Sequence, residues 1–237
     1  MNSYNLFLSI IPGIIICLYI YFKDKHEKEP FSLLVINFLF GIISVVFLPK
    51  IYSYTDPIFN FSSTNFLISL ISCIVGIGLI EEFCKFIFVR FITYYFKDFN
   101  EPMDGVVYCV MVSMGFATVE NIMHVANSGS DGEAVAMARM FSSVPAHAIC
   151  AIIMGYYIGI QKFKKKKGIA VKGLIWASIF HGLYDAFLFS NSVSEELATF
   201  LMIILFIVSF EICLRIIEKH LDDSPFKPKF KKNPKHH

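Results

Sequence analysis

Gly76-Ile77-Gly78-Leu79-Ile80-Glu81-Glu82-Phe83-Cys84-Lys85-Phe86 sets two adjacent carboxylates and a lysine inside an apolar run that covers residues 66–91. The run is too long and too hydrophobic for the core helix of a soluble domain, and it reads as a membrane span. A charge near the bilayer centre costs roughly 2.5–3.5 kcal/mol on insertion scales. Three charged groups this close together therefore need a compensating role. The simplest is an internal salt bridge, since Glu81 and Lys85 stand at i,i+4 and Glu82 and Lys85 at i,i+3. One ammonium neutralises one carboxylate and leaves the other, so the pair reads as functional.

Composition extends this reading to the whole chain. Of the 237 residues 56% are hydrophobic and only 17% charged, with a mean hydropathy of +0.61. A soluble domain carries about a quarter charged residues. The charges gather between apolar runs, which excludes a soluble enzyme and predicts an all-α polytopic membrane protein of about seven transmembrane helices around a polar intramembrane site. The expected spans are residues 6–22, 31–48, 66–91, 106–126, 134–160, 169–189 and 197–217. The third and fifth exceed the ~20 residues that cross a bilayer core, so they must tilt, bend or protrude. Residues 1–221 are expected to form one transmembrane domain, and 222–237 a basic, flexible cytoplasmic tail. The first run has no basic n-region or clear cleavage site and reads as a retained span. Cys17, Cys73, Cys84, Cys109, Cys150 and Cys213 lie in apolar runs without a C-x-x-C pair, as small hydrophobes rather than a disulfide framework.

Lysines alternate between connections. The first carries Lys23, Lys25 and Lys28, the third Lys97 beside Arg90, and the fifth Lys162, Lys164, Lys165, Lys166, Lys167 and Lys172. The second has only Lys50, while 127–133 and the stretch ending in Glu195-Glu196 have none. The C-terminal tail adds Lys219, Lys227, Lys229, Lys231, Lys232 and Lys235. Positive-inside counting puts the N-terminal end outside and the C-terminal end in the cytoplasm. The tail's charge suits anionic lipid, and no folded element accompanies it that would suit nucleic acid.

Other spans carry polar groups too. Glu120 and His124 share a helix face at i,i+4, beside Asn121, whose alternative is an interhelical hydrogen bond. Arg139 either snorkels or partners a buried carboxylate. His147 is deep and flanked by alanines. His181 and Asp185, again i,i+4, suit two ligands on one face or a histidine oriented by a carboxylate. Glu211 and Arg215 read as a structural pair. Such groups must converge on one cavity, because unpaired in lipid their costs add. Carboxylates with imidazoles suit a borderline metal such as zinc, with a glutamate as general base. The soluble-protease signature H-E-x-x-H is absent.

Glu81-Glu82-x-x-Lys85, Phe116-x-x-x-Glu120-Asn121, His147 and His181-x-x-x-Asp185, with the lead-in Glu101-Pro102-Met103-Asp104-Gly105, together resemble the successive motifs of the PrsW intramembrane proteases. That family is similar to the CAAX prenyl proteases, which have histidine where this chain has Glu120. The difference argues against a prenylated substrate. The resemblance implies an intramembrane endopeptidase in a bacterial cell membrane. It would make the first, extracytoplasmic cut in a single-span protein such as an anti-sigma factor. On this reading Glu81 is the water-activating base, Glu82 orients or ligates, and Lys85 balances the pair. Glu120, His147 and His181 are the candidate zinc ligands, Asp185 orients His181, and Asn121 or the histidines stabilise the oxyanion. A metal-free glutamate–histidine mechanism stays open. The rival class is a proton- or cation-coupled transporter using the same groups, although no inverted repeat is evident. A non-catalytic sensor is a third. Substrate identity and oligomeric state are not legible in the sequence.

Overall fold

The computed structural model describes residues 1–228, so the greater part of the expected basic tail lies outside the described residues. Every regular element among them is helical: α1 (Ser3–Lys23), α2 (Phe31–Val46), α3 (Leu48–Thr55), α4 (Phe66–Cys73), α5 (Leu79–Phe91), α6 (Pro102–Asn127), α7 (Gly132–Phe141), α8 (Ser143–Phe163), α9 (Ala170–Phe189) and α10 (Glu195–Asp222). Six helical segments are long and apolar enough to cross a membrane: Ser3–Lys23, Phe31–Thr55, Phe66–Tyr95, Pro102–Asn127, Gly129–Phe163 and Glu195–Asp222. The expected seventh crossing is α9. Its 20 residues give about 30 Å, enough to span, but Lys172, His181 and Asp185 lower its hydropathy.

Both overlong spans are interrupted. A π-helical turn, Ile74–Gly78, separates α4 from α5, and the chain breaks at Ser142 between α7 and α8. The second connection is not simply a loop, because Pro49 opens a further helix, α3, that continues α2.

Helix α6 is the axle. Glu101 caps it, Pro102 sits at its first position and Asp104 accepts from the Glu101 N–H at 2.8 Å. Helix α6 is buried without a break from Pro102 to Thr118, and it packs most extensively against α8, then α2 and α1. Close approach rests on glycine: a Cβ on Gly41 or Gly115 would strike the facing backbone of α6 or α2 near 2 Å, at 1.9 Å and 2.0 Å respectively. Helix α10 lies outermost and turns Phe200, Ile203, Ile207 and Phe210 outward, as lipid contact requires.

Candidate functional site

The site forms where α5, α6, α8 and α9 meet under α3 and α7. The π turn and α9 touch through glycines: a Cβ on Gly78 would lie 2.6 Å from Ser178 O, and one on Gly182 2.4 Å from Ile74 Cα. This contact brings Glu81 and Glu82 against His181. Glu82, fully buried, receives Lys85 Nζ at 2.6 Å and His181 Nδ1 at 3.0 Å. Glu81 Oε1 accepts from Tyr52 OH at 2.7 Å. Its Oε2 has no hydrogen-bond partner and lies 3.8 Å from Lys85 Nζ and 3.7 Å from His181 Nε2. Lys85 Nζ also lies 3.0 Å from His147 Nδ1 and 4.0 Å from the Phe116 ring centroid.

Glu120 Oε2 receives Arg139 Nη2 at 2.8 Å and meets His147 Nε2 at 2.8 Å. Arg139 is thus the partner of a half-buried carboxylate, and its Nε donates to Asn121 Oδ1 at 2.7 Å. Asn121 Nδ2 donates to Ser9 O at 3.1 Å, tying α6 to α1. His124 stays exposed, 3.5 Å from Glu120 Oε1. Asp185 Oδ2 lies 3.5 Å from His181 Nε2 and has no hydrogen bond, so the bonded partner of His181 is Glu82. The imidazoles of His147 and His181 meet edge to face at 5.0 Å. Glu211 and Arg215 pair on the exposed face of α10 at 2.9 Å, away from these groups.

A cleft of about 490 Å³ reaches the cluster; its polar lining includes Tyr52, Glu81, Glu120, Arg139, His181 and Asp185, but not Glu82 or Lys85. Tyr52 is the residue sequence reasoning missed. It sits beyond Pro49 in a stretch that reads as a connection, and only its hydroxyl contact with Glu81 marks it.

The donor set fits a divalent metal. Glu81, His147 and His181 each offer a ligand atom, all within 4.8 Å of one another and all buried. Glu81 Oε2 and Asp185 Oδ2 are buried oxygens without hydrogen bonds. Four carboxylates (Glu81, Glu82, Glu120, Asp185) face two permanent cations (Lys85, Arg139), which leaves negative charge for a metal or for histidine protonation to offset.

A sequence model described as PrsW family intramembrane metalloprotease matches residues 29–211, which include every member of this cluster. The chain is 35% identical over 184 residues to Protease PrsW of Geobacillus kaustophilus, covering 74% of this chain and 76% of that protein. It is 33% identical over 180 residues to Protease PrsW of Bacillus subtilis, covering 74% and 78%. The match to Protease PrsW of Clostridioides difficile is 31% over 222 residues, covering 92% and 91%. No solved structure matches significantly. These relatives displace the transporter reading of the same polar groups: the chain belongs to the PrsW family of intramembrane metalloproteases.

Proposed function

We propose that this protease hydrolyses a peptide bond in a membrane-spanning protein, with Glu81 as the base that activates water. The observation that carries this reading is the asymmetry of the glutamate pair. Glu81 lines the cleft with Oε2 unbonded beside His181, whereas Glu82 stays out of the cleft and is bonded through Oε1 to both Lys85 and His181, its own Oε2 being buried and unbonded. Glu82 then holds the His181 Nδ1–H and leaves Nε2 directed toward Glu81 and Asp185. Lys85, 2.6 Å from Glu82 Oε1, supplies the countercharge in the buried site. Glu120 fixes His147 with help from Arg139, and Asn121, held at both ends of its amide, positions Arg139.

Zinc is the metal that imidazole and carboxylate donors favour, held by His147, His181 and a third carboxylate. The family resemblance points to Glu120 for the third. Glu81 lies within 4.8 Å of both histidines; with Glu81 as base, the unbonded Oδ2 of Asp185, 3.5 Å from His181 Nε2, supports Asp185 as the third ligand, because Glu120 Oε2 is already bonded to Arg139 and His147. Both His147 nitrogens are engaged, with Lys85 and Glu120, so His147 is the donor that must exchange a partner. When bound, zinc supplies Lewis-acid polarisation of the scissile carbonyl and acidification of water.

Asp56, His124, Asn127 and Leu188 rim the cleft, at helix ends followed by lysine-poor connections. Under positive-inside counting this is the extracytoplasmic side. A single-span anti-sigma factor, cut near its outer membrane boundary in a bacterial stress response, is the substrate class that suits that opening and the family resemblance.

The test is cleavage of a single-span substrate in detergent, with metal content measured alongside. Glu81→Gln should keep fold and metal and lose at least ~10²–10⁴-fold in rate. Glu82→Gln should lower stability or metal retention. A zinc content that falls in Asp185→Asn but holds in Glu120→Gln identifies the third ligand. An active Glu81→Gln would overturn the base assignment.

A further inference from the structure

A second acidic cluster lies at the opposite end of α6, about 24 Å along the helix from Glu120 at 1.5 Å per residue. It joins the residues after α1 to the start of α6: Asp24, Glu29, Glu101 and Asp104 are at most 3% exposed. Their hydrogen bonds leave a hole. Asp104 Oδ2 accepts from the N–H groups of Asn100 and Glu101, at 2.6 and 2.8 Å, and Glu29 Oε2 accepts from Tyr108 OH. Both oxygens of Asp24 and of Glu101, Oε1 of Glu29 and Oδ1 of Asp104 have no hydrogen-bond donor, and the carboxyl groups face one another, Asp24 against Glu101 and Glu29 against Asp104. One oxygen from each of Asp24, Glu29 and Asp104 lies within 4.8 Å of the others.

The nearby lysines do not fill the hole. Lys28 Nζ donates to the backbone carbonyls of Tyr21 and Asp24, and Lys162 Nζ sits 4.2 Å from the Phe99 ring centroid and bonds Tyr94 O. Among the described residues no basic side chain lies within 4.0 Å of the four carboxylates. An orphaned, fully buried carboxylate such as Asp24 is costly without a counter-charge.

The geometry points to a hard divalent-cation site, of the magnesium or calcium class, formed by Asp24, Glu29 and Asp104. Oxygens bound 2.0–2.6 Å from one ion lie no more than ~5 Å apart, as these do. The donors are all oxygen, with no imidazole or thiolate, which separates this site from the catalytic cluster and disfavours zinc. The ion staples the α1–α2 connection to the base of α6, the helix on which Glu120 rides.

The test uses the full chain in detergent, carrying Glu81→Gln and His181→Ala so that catalytic donors do not contribute. Bound Mn²⁺ is followed by electron paramagnetic resonance. The expected result is one Mn²⁺ per chain at free metal of about 1 mM or below, displaced by Mg²⁺ or Ca²⁺. Adding Asp24→Asn should weaken it at least tenfold. Glu29→Gln, a second probe, should weaken binding similarly. No bound Mn²⁺ in the low-millimolar range, or affinity unchanged by both substitutions, overturns the site.

Discussion

Glu81 and Glu82 differ in nothing but position, and their surroundings divide the work between them. Adjacent helical residues point about 100° apart, so one carboxylate reaches the cleft and the other faces the α5–α9 contact. Two predictions belong here. Tyr52→Phe removes the hydroxyl on Glu81 Oε1 while leaving the packing. A hydrogen bond to a charged group is worth about 1.5–3 kcal/mol, so cleavage should slow by about 10-fold or more as Glu81 loses its fixed position, with thermal unfolding showing a stability loss no larger than that. A normal rate would show that Tyr52 does not position Glu81. Lys85→Met strands Glu82 in a fully buried place, at a cost of about 3–5 kcal/mol. Thermal unfolding should show that loss, and the double variant Lys85→Met/Glu82→Gln should recover part of it. An additive double variant would refute the pairing.

The π turn and its glycines act at the scale of elements. One wide turn between Ile74 and Gly78 shifts the face that α5 presents to α9, and such turns are frequent at functional sites. The approach leaves no room for a side chain on either surface. Gly182→Ala places a methyl 2.4 Å from Ile74 Cα, and backbone does not yield as a flexible side chain would. The expected result is a stability loss of about 1–3 kcal/mol together with a fall in cleavage, because separation also draws His181 from Glu82. Full activity in Gly182→Ala would mean the α5–α9 contact does not set the site. The same spacing argument holds at Gly41 and Gly115, where α2 meets the middle of α6.

For the molecule as a whole, the decisive quantity is which side the cleft faces. The lysine-rich connections and the cleft rim lie at opposite helix ends. Introduced in a cysteine-free background, Ser130→Cys should react with an impermeant thiol reagent from outside the cell and Lys165→Cys should not. The reverse pattern would turn the cleft to the cytoplasm and remove the extracytoplasmic cut. Peripheral α10 and central α6 form the extremes of one gradient. Outward phenylalanines and isoleucines meet lipid, while the buried carboxylates lie at the α5–α6–α8–α9 junction and the base of α6.

Sequence alone determined the helical membrane architecture, the approximate number of spans and most of the ionisable residues that the fold gathers at the α5–α6–α8–α9 junction. Hydrophobic run length and the cost of a charge in lipid are properties of a local stretch, and Glu81, Glu120, His147 and His181 stand out on that ground without any knowledge of neighbours. Tertiary structure decided the partners. That His181 Nδ1 bonds Glu82 and not Asp185, that Arg139 clasps both Glu120 and Asn121, that Tyr52 reaches Glu81, and that Asp24 converges with Glu29 and Asp104 all depend on helix rotation and crossing distance. A rotation of 100° per residue, or an extra residue in a π turn, redirects every side chain beyond it. Apolar surfaces that pack in many ways do not encode that rotation locally; close glycine contacts between distant helices do, once the chain is folded.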